Sequence, residues 1–169
     1  MRPTPTQYPS YFEPYISKVE GDDILITMPQ SLEDLKNFLS KIPESKADFA
    51  YAPGKWTVKQ VLQHCIDTER IFAYRALCIA RGETQTLPGF DEKLYAANVN
   101  VENKSLQALK DEIQLARQSA VILFRYLTNT ELCRTGSVGG NSINVSALGF
   151  LIVGHWLHHQ SILTDRYGL

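Results

Sequence analysis

Cysteine is scarce in this chain: Cys65, Cys78 and Cys133 are the only three, and no two stand at paired spacing. An odd and scattered set excludes a disulfide-stapled scaffold and a thiolate metal site, and it fits a reducing cytoplasm. An excess of charge of either sign is missing too, since 17 Lys and Arg against 18 Asp and Glu leave a net charge of −1. With no basic run, the sequence lacks the electrostatic footprint of a nucleic-acid binder. The apolar stretches are too short or too interrupted for a membrane span, and residues 1–9 lack the basic-then-apolar form of a signal peptide. The expectation is a cytoplasmic protein with neither nucleic acid nor membrane as partner.

What the sequence does contain is helical periodicity. Its 169 residues suit a single domain, 1–169, with ample chain for a core. Residues 1–9, with Pro3, Pro5 and Pro9, read as an extended N-terminal arm. A short helix follows over Tyr11 to Val19, and Ile24 to Met28 reads as an extended lead-in. Ser31 and Asp34 form a weak capping-box pattern before Leu32, Leu35, Leu39 and Ile42, with Pro43 as the stop of a first long helix. Thr57 and Gln60 make a better capping box for a second, running to about Arg81 with Gly82 just beyond. Leu106, Leu109, Ile113, Ala116, Ala120, Leu123 and Leu127 alternate steps of three and four, the period of a bundle seam, and define a third. Residues 133–144, rich in Gly, Ser and Asn, read as a loop, and a fourth helix follows to about Arg166.

Four amphipathic segments without a convincing strand pair predict an all-α four-helix bundle. The connection between the second and third helices, about 20 residues, is long for a bundle. It carries a short helical stretch over Asp91 to Val99 and favours a crossover that sets those two helices parallel. The short N-terminal and crossover elements are expected to cover one mouth of the bundle.

The fourth helix carries three of the chain's four histidines, in Gly154-His155-Trp156-Leu157-His158-His159. At about 100° per residue, His155 and His159 fall about 40° apart, one turn above the other, on the arc of Leu148, Leu151, Ile152, Ile162 and Leu163. Two stacked imidazoles in an apolar stripe are costly unless their nitrogens are satisfied, and a divalent metal gripped at i,i+4 does so. His158 projects to the border of that stripe, toward solvent or the surroundings of a site. The remaining histidine, His64, lies in the second turn of the second helix on the face of Val61, Thr68, Ile71 and Arg75. There it is either a third ligand, leaving coordination positions open as in catalytic zinc, or a seam histidine bonded to a carbonyl. Di-iron chemistry needs Glu three residues before His, and the zincin motif needs Glu directly after the first His. Neither occurs here, since no His has that Glu and Trp156 follows His155.

The stretch Gly54-Lys55-Trp56-Thr57-Val58-Lys59-Gln60-Val61-Leu62-Gln63-His64, then Asp67-Thr68-Glu69-Arg70, Leu87-Pro88-Gly89-Phe90-Asp91 and Gly154-His155-x-x-x-His159 carry a resemblance. Together they resemble the DinB-like superfamily, four-helix metalloproteins that include bacillithiol-dependent S-transferases. The likeness runs from about residue 10 to the C-terminus. It implies an up-down-down-up bundle, often dimeric, with nickel, zinc or a similar divalent ion on His64, His155 and His159. These are the same residues that the helical projection brings forward.

Around that set, Arg75 is a candidate anchor for an anionic cosubstrate, with a buried ion pair as its alternative. Asp67 and Asp91 are candidate bases or partners of the ligands, with solvated carboxylates as the alternative. Trp56 and Trp156 read as packing residues, and so does Cys65. The leading functional expectation is a metal-dependent enzyme acting on a small molecule, as a transferase using a low-molecular-weight thiol or as a hydrolase. The competing expectation is a binding or stress-response module whose metal is structural, closed by Asp67, Asp91 or His158. A metal-free bundle is the third.

Overall fold

The computed structural model describes all 169 residues. In chain order the elements are α1 (Glu13–Ile16), α2 (Ile24–Ser40), α3 (Val58–Ala80), α4 (Glu92–Asn98), α5 (Leu106–Arg125) and α6 (Asn129–Cys133). A hairpin of β1 (Thr135–Val138) and β2 (Asn141–Asn144) then leads into α7 (Val145–Tyr167). The four long helices are α2, α3, α5 and α7.

Side-chain pairs fix their directions. Gln63 of α3 meets Lys104, just before α5, and Arg70, two turns on, meets Glu112 within α5, so α3 and α5 run parallel. The Tyr167 hydroxyl at the end of α7 donates to the Trp56 carbonyl just before α3 (2.7 Å), so those two are antiparallel. Ile24, at the start of α2, lies against Gly149 near the start of α7, and Phe38 further along meets Trp156. That pair is parallel, and the bundle is up-down-down-up.

Three of the long helices begin as their local sequence dictates. Thr57 and Gln60 cap α3 reciprocally (3.2 and 2.8 Å), Ser105 caps α5, and the Asn144 side chain accepts from the Ala147 amide at the head of α7. The fourth departs from expectation. Helix α2 starts at Ile24, where the Asp23 carboxylate accepts from the Leu25 amide (3.1 Å), and it continues through Pro29. The run from Ile24 to Met28 is therefore helical, not an extended lead-in. Ser31 is not a cap: its hydroxyl donates to the Met28 carbonyl and accepts from Arg117.

Residues 133–144 are not a loop: Cys133 ends α6, and 135–144 form a two-stranded antiparallel hairpin, with Thr135 opposite Asn144 and Val138 opposite Asn141. Gly139 and Gly140 turn it at φ 56° and 81°, the left-handed conformation that a tight hairpin turn demands. The crossover is laced to this hairpin. Leu87 donates its amide to the Ser137 carbonyl and accepts from the Gly139 amide, both at 2.9 Å.

At the centre, Arg117 of α5 is fully buried, and its guanidinium donates to both carboxylate oxygens of Glu69 on α3 (2.7 and 3.1 Å). It also reaches Ser31 on α2 and the Ile152 carbonyl on α7, so one side chain ties the four long helices together. In α7, every residue from Val145 to Gly154 is buried. The expected apolar stripe is thus a wholly buried half-helix, covered on its outer side by α1 and the N-terminal residues. The Asn144 amide donates to the Gln7 carbonyl, and the Ser146 hydroxyl to that of Met1.

Candidate metal centre

Antiparallel packing of α3 on α7 brings the second turn of one beside the fourth turn of the other. His64 Nε2 lies 3.0 Å from His155 Nε2, and His159 Nε2 lies 3.2 Å from the same atom. One donor atom from each of the three histidines falls within 4.8 Å of the others. The sequence-predicted triad is therefore assembled. His64 and His159 are buried and His155 half-buried, with the Trp56 ring 4.9 Å from that of His64.

The donors fit a divalent cation. A neutral imidazole nitrogen offers either one hydrogen or one lone pair, so His155 Nε2 can satisfy one of its two nitrogen neighbours but not both. A cation that accepts a lone pair from each ring satisfies all three. Metal–nitrogen bonds of about 2.0–2.1 Å at ordinary ligand angles also place donor nitrogens about 3 Å apart. Burial, then mutual repulsion, holds His155 well below the usual histidine range, and burial brings His159 down to about 3. Burial lowers His64 as well. All three are therefore neutral near pH 7, the protonation state a metal requires.

His155 also belongs to the wall of a cavity of about 790 Å³, large enough for a small organic molecule. Tyr11, Phe12 and Tyr15 from the N-terminal segment, Phe72 of α3 and Phe90 of the crossover give it aromatic walls. Val138, Asn141 and Ile143 of the hairpin complete one side, so the segment read as a loop is a structural wall of the site. Gly154 makes the N-terminal contribution possible, because a Cβ there would collide with the Tyr15 carbonyl. With that approach open, the Tyr15 ring sits 5.7 Å from the His155 ring and 5.2 Å from that of His158.

The remaining sequence candidates separate. Arg75 is buried, lines the cavity and has no carboxylate partner; its guanidinium donates to the Pro88 carbonyl (2.8 Å). Asp91 lines the cavity at the head of α4, where its Oδ1 accepts from the amides of Lys93 and Leu94. Asp67 is outside the cavity lining and accepts from Gln63 on its own helix (2.8 Å). His158 is half-buried, its ring 5.1 Å from that of His159, and it is not part of the three-nitrogen cluster. Cys65 is buried, and burial pushes its thiol up, as befits a core residue rather than a thiolate. Sequence reasoning missed Glu92, next to Asp91 on the cavity wall, whose charge acts on both Tyr15 and His64. Its one available signal was its place in the first turn of the crossover helix.

A family model described as the DinB superfamily matches residues 28–163. The chain belongs to the DinB superfamily. Among solved structures, this superfamily member is similar to YfiT from Bacillus subtilis, described as a probable metal-dependent hydrolase with an unusual four-helix bundle topology. That likeness has a TM-score of 0.70 at 22% identity, covers 99% of this chain and 94% of YfiT, and shows the shared fold. No curated protein sequence matches the chain. No helix is long and apolar enough to cross a membrane.

Proposed function

We propose that this DinB-superfamily chain is a metal-dependent enzyme that hydrolyses a small organic substrate held in the aromatic cavity. The observation that carries the reading is that His155 belongs at once to the three-histidine cluster and to the cavity wall. A divalent ion bound there would supply Lewis acidity and lower the pKa of a water or thiol at its open side. The three imidazoles hold it as neutral donors. Tyr15 and Phe72, with rings 5.7 and 6.2 Å from that of His155, give this end of the cavity aromatic walls. Glu92, which lines the cavity and whose charge acts on His64, is the carboxylate assigned to take a proton from the nucleophile. Asp91, whose Oδ1 is engaged in the cap, acts by holding the short helix that carries Glu92. The similarity to YfiT, described as a probable metal-dependent hydrolase, supports the same direction.

A second reading, transfer of a low-molecular-weight thiol to an electrophile, is favoured by the unpaired Arg75, which suits an anionic cosubstrate. One assay separates the two. Tag-free protein loaded with zinc or nickel is presented with small esters, amides and haloalkanes, with and without an added thiol. Thiol-independent turnover that disappears on chelation and in His155→Ala is the expected result. Strict dependence on the thiol would replace hydrolysis by transfer. A bound metal whose coordination shell is filled by protein groups and admits no exogenous ligand would overturn both.

A further inference from the structure

Helix α3 carries a second polar feature along the cavity that the metal chemistry does not use. Thr68 and Arg75 follow His64 on one face of the helix, at steps of four and seven residues. Both are buried, at 2% and 5% exposure, and both line the cavity. The Thr68 hydroxyl has no hydrogen-bond partner in the protein. Arg75 forms no salt bridge, and its sole protein acceptor is the Pro88 carbonyl. Its guanidinium lies 5.9 Å from the Phe72 ring and 5.5 Å from the Phe90 ring, an aromatic frame that holds it without neutralising it. A buried cation without a counter-charge is unfavourable, and an anion that pairs with it removes that cost.

We infer that the cavity ends in a carboxylate subsite at Arg75, and that the substrate is an elongated monoanion reaching from there past Thr68 to the histidine cluster. The rise between Thr68 and Arg75, both in the cavity lining, is about 10 Å along the helix axis, so the molecule is extended and not a compact one. Aromatic side chains along the way call for an apolar body, with one polar atom opposite the Thr68 hydroxyl. Charge limits the anionic end. Besides Arg75 the cavity is lined by Asp91, Glu92 and Lys93, so the four charges sum to zero, and Arg75 is the buried one without a partner, which matches a single negative charge on the substrate. The inference rests on the metal-dependent reading only for the reacting end, since the Arg75 subsite is defined without it.

The test measures binding of 4-phenylbutyrate and of its uncharged amide to the metal-loaded protein by calorimetry, with metal content determined in every sample. The acid is expected to bind about tenfold or more tightly than the amide, the usual worth of a charged hydrogen-bonded pair. Arg75→Met should erase that preference with the metal retained, and Arg75→Lys should keep part of it. Thr68→Val should leave the acid-to-amide ratio unchanged. Equal binding of acid and amide to the wild type overturns the inference without any variant. A preference that survives in Arg75→Met would place the carboxylate elsewhere and overturn it as well. Failure of the protein to retain metal would count against the proposed enzyme, independently of the acid-to-amide comparison.

Discussion

His64 and His155, 91 positions apart in the chain, place their Nε2 atoms 3.0 Å from one another. This contact exists because α3 and α7 pack antiparallel, and that packing in turn depends on the Arg117 network in the core. Arg117 is fully buried and Glu69 is 4% exposed. Replacing Arg117 by Met leaves the Glu69 carboxylate buried without its partner, at an expected loss of about 3–5 kcal/mol in denaturant unfolding at fixed metal concentration. The double variant Glu69→Leu/Arg117→Met should recover much of that loss. A single variant as stable as the wild type would show that the pair does not hold the helices.

Gly154 controls how closely α1 approaches α7. Gly154→Ala sets a methyl group against the Tyr15 carbonyl, which is backbone and cannot rotate away. The expected cost is about 1–3 kcal/mol, read as a lower melting temperature, with metal retained because the displaced element is α1, which contributes none of the three histidines. An unaltered melting temperature would contradict the close packing described here.

The buried histidines make the metal-free protein sensitive to acid. The folded His159 is lowered from 6.5 to about 3, first by burial and then by His64 and His158. The unfolded chain therefore takes up a proton below 6.5 that the folded chain refuses. Stability contributed by this group is complete above 6.5 and is lost as pH falls from 6.5 toward about 3. Chelator-treated protein should accordingly show a falling melting temperature across that window, and His159→Gln should show a shallower slope. Equal slopes in the two proteins would contradict the assignment of this sensitivity to His159.

Much of this was legible in the sequence where local chemistry and global packing agree. The Thr57 and Gln60 box, the seam from Leu106 to Leu127 and the i,i+4 histidines each announce their element, and each stands where expected. The seam concealed Arg117, because a charged residue inside an apolar stripe reads as exposed until its partner on another helix is known. The start of α2 was hidden by Pro29, which suggests a boundary but is accommodated after Asp23 has already capped the helix. The hairpin was hidden by its composition. Only Val138 and Ile143 give it apolar side chains, and it is held by the crossover and by the glycine turn rather than by an alternating pattern. The i,i+4 pair pointed to two members of the histidine cluster, whereas the partnership of His64 with them depended on which helices become neighbours.

The central claim is that three imidazoles from two helices share one cation. Its most direct test is elemental analysis of tag-free protein, wild type beside His64→Ala, His155→Ala and His159→Ala, each checked for helical content. The account predicts one divalent ion per chain in the wild type and at least a tenfold weaker hold in each variant with the fold retained. Metal content that is unchanged in His64→Ala, or absent from wild-type protein after equilibration with zinc and nickel, would contradict it.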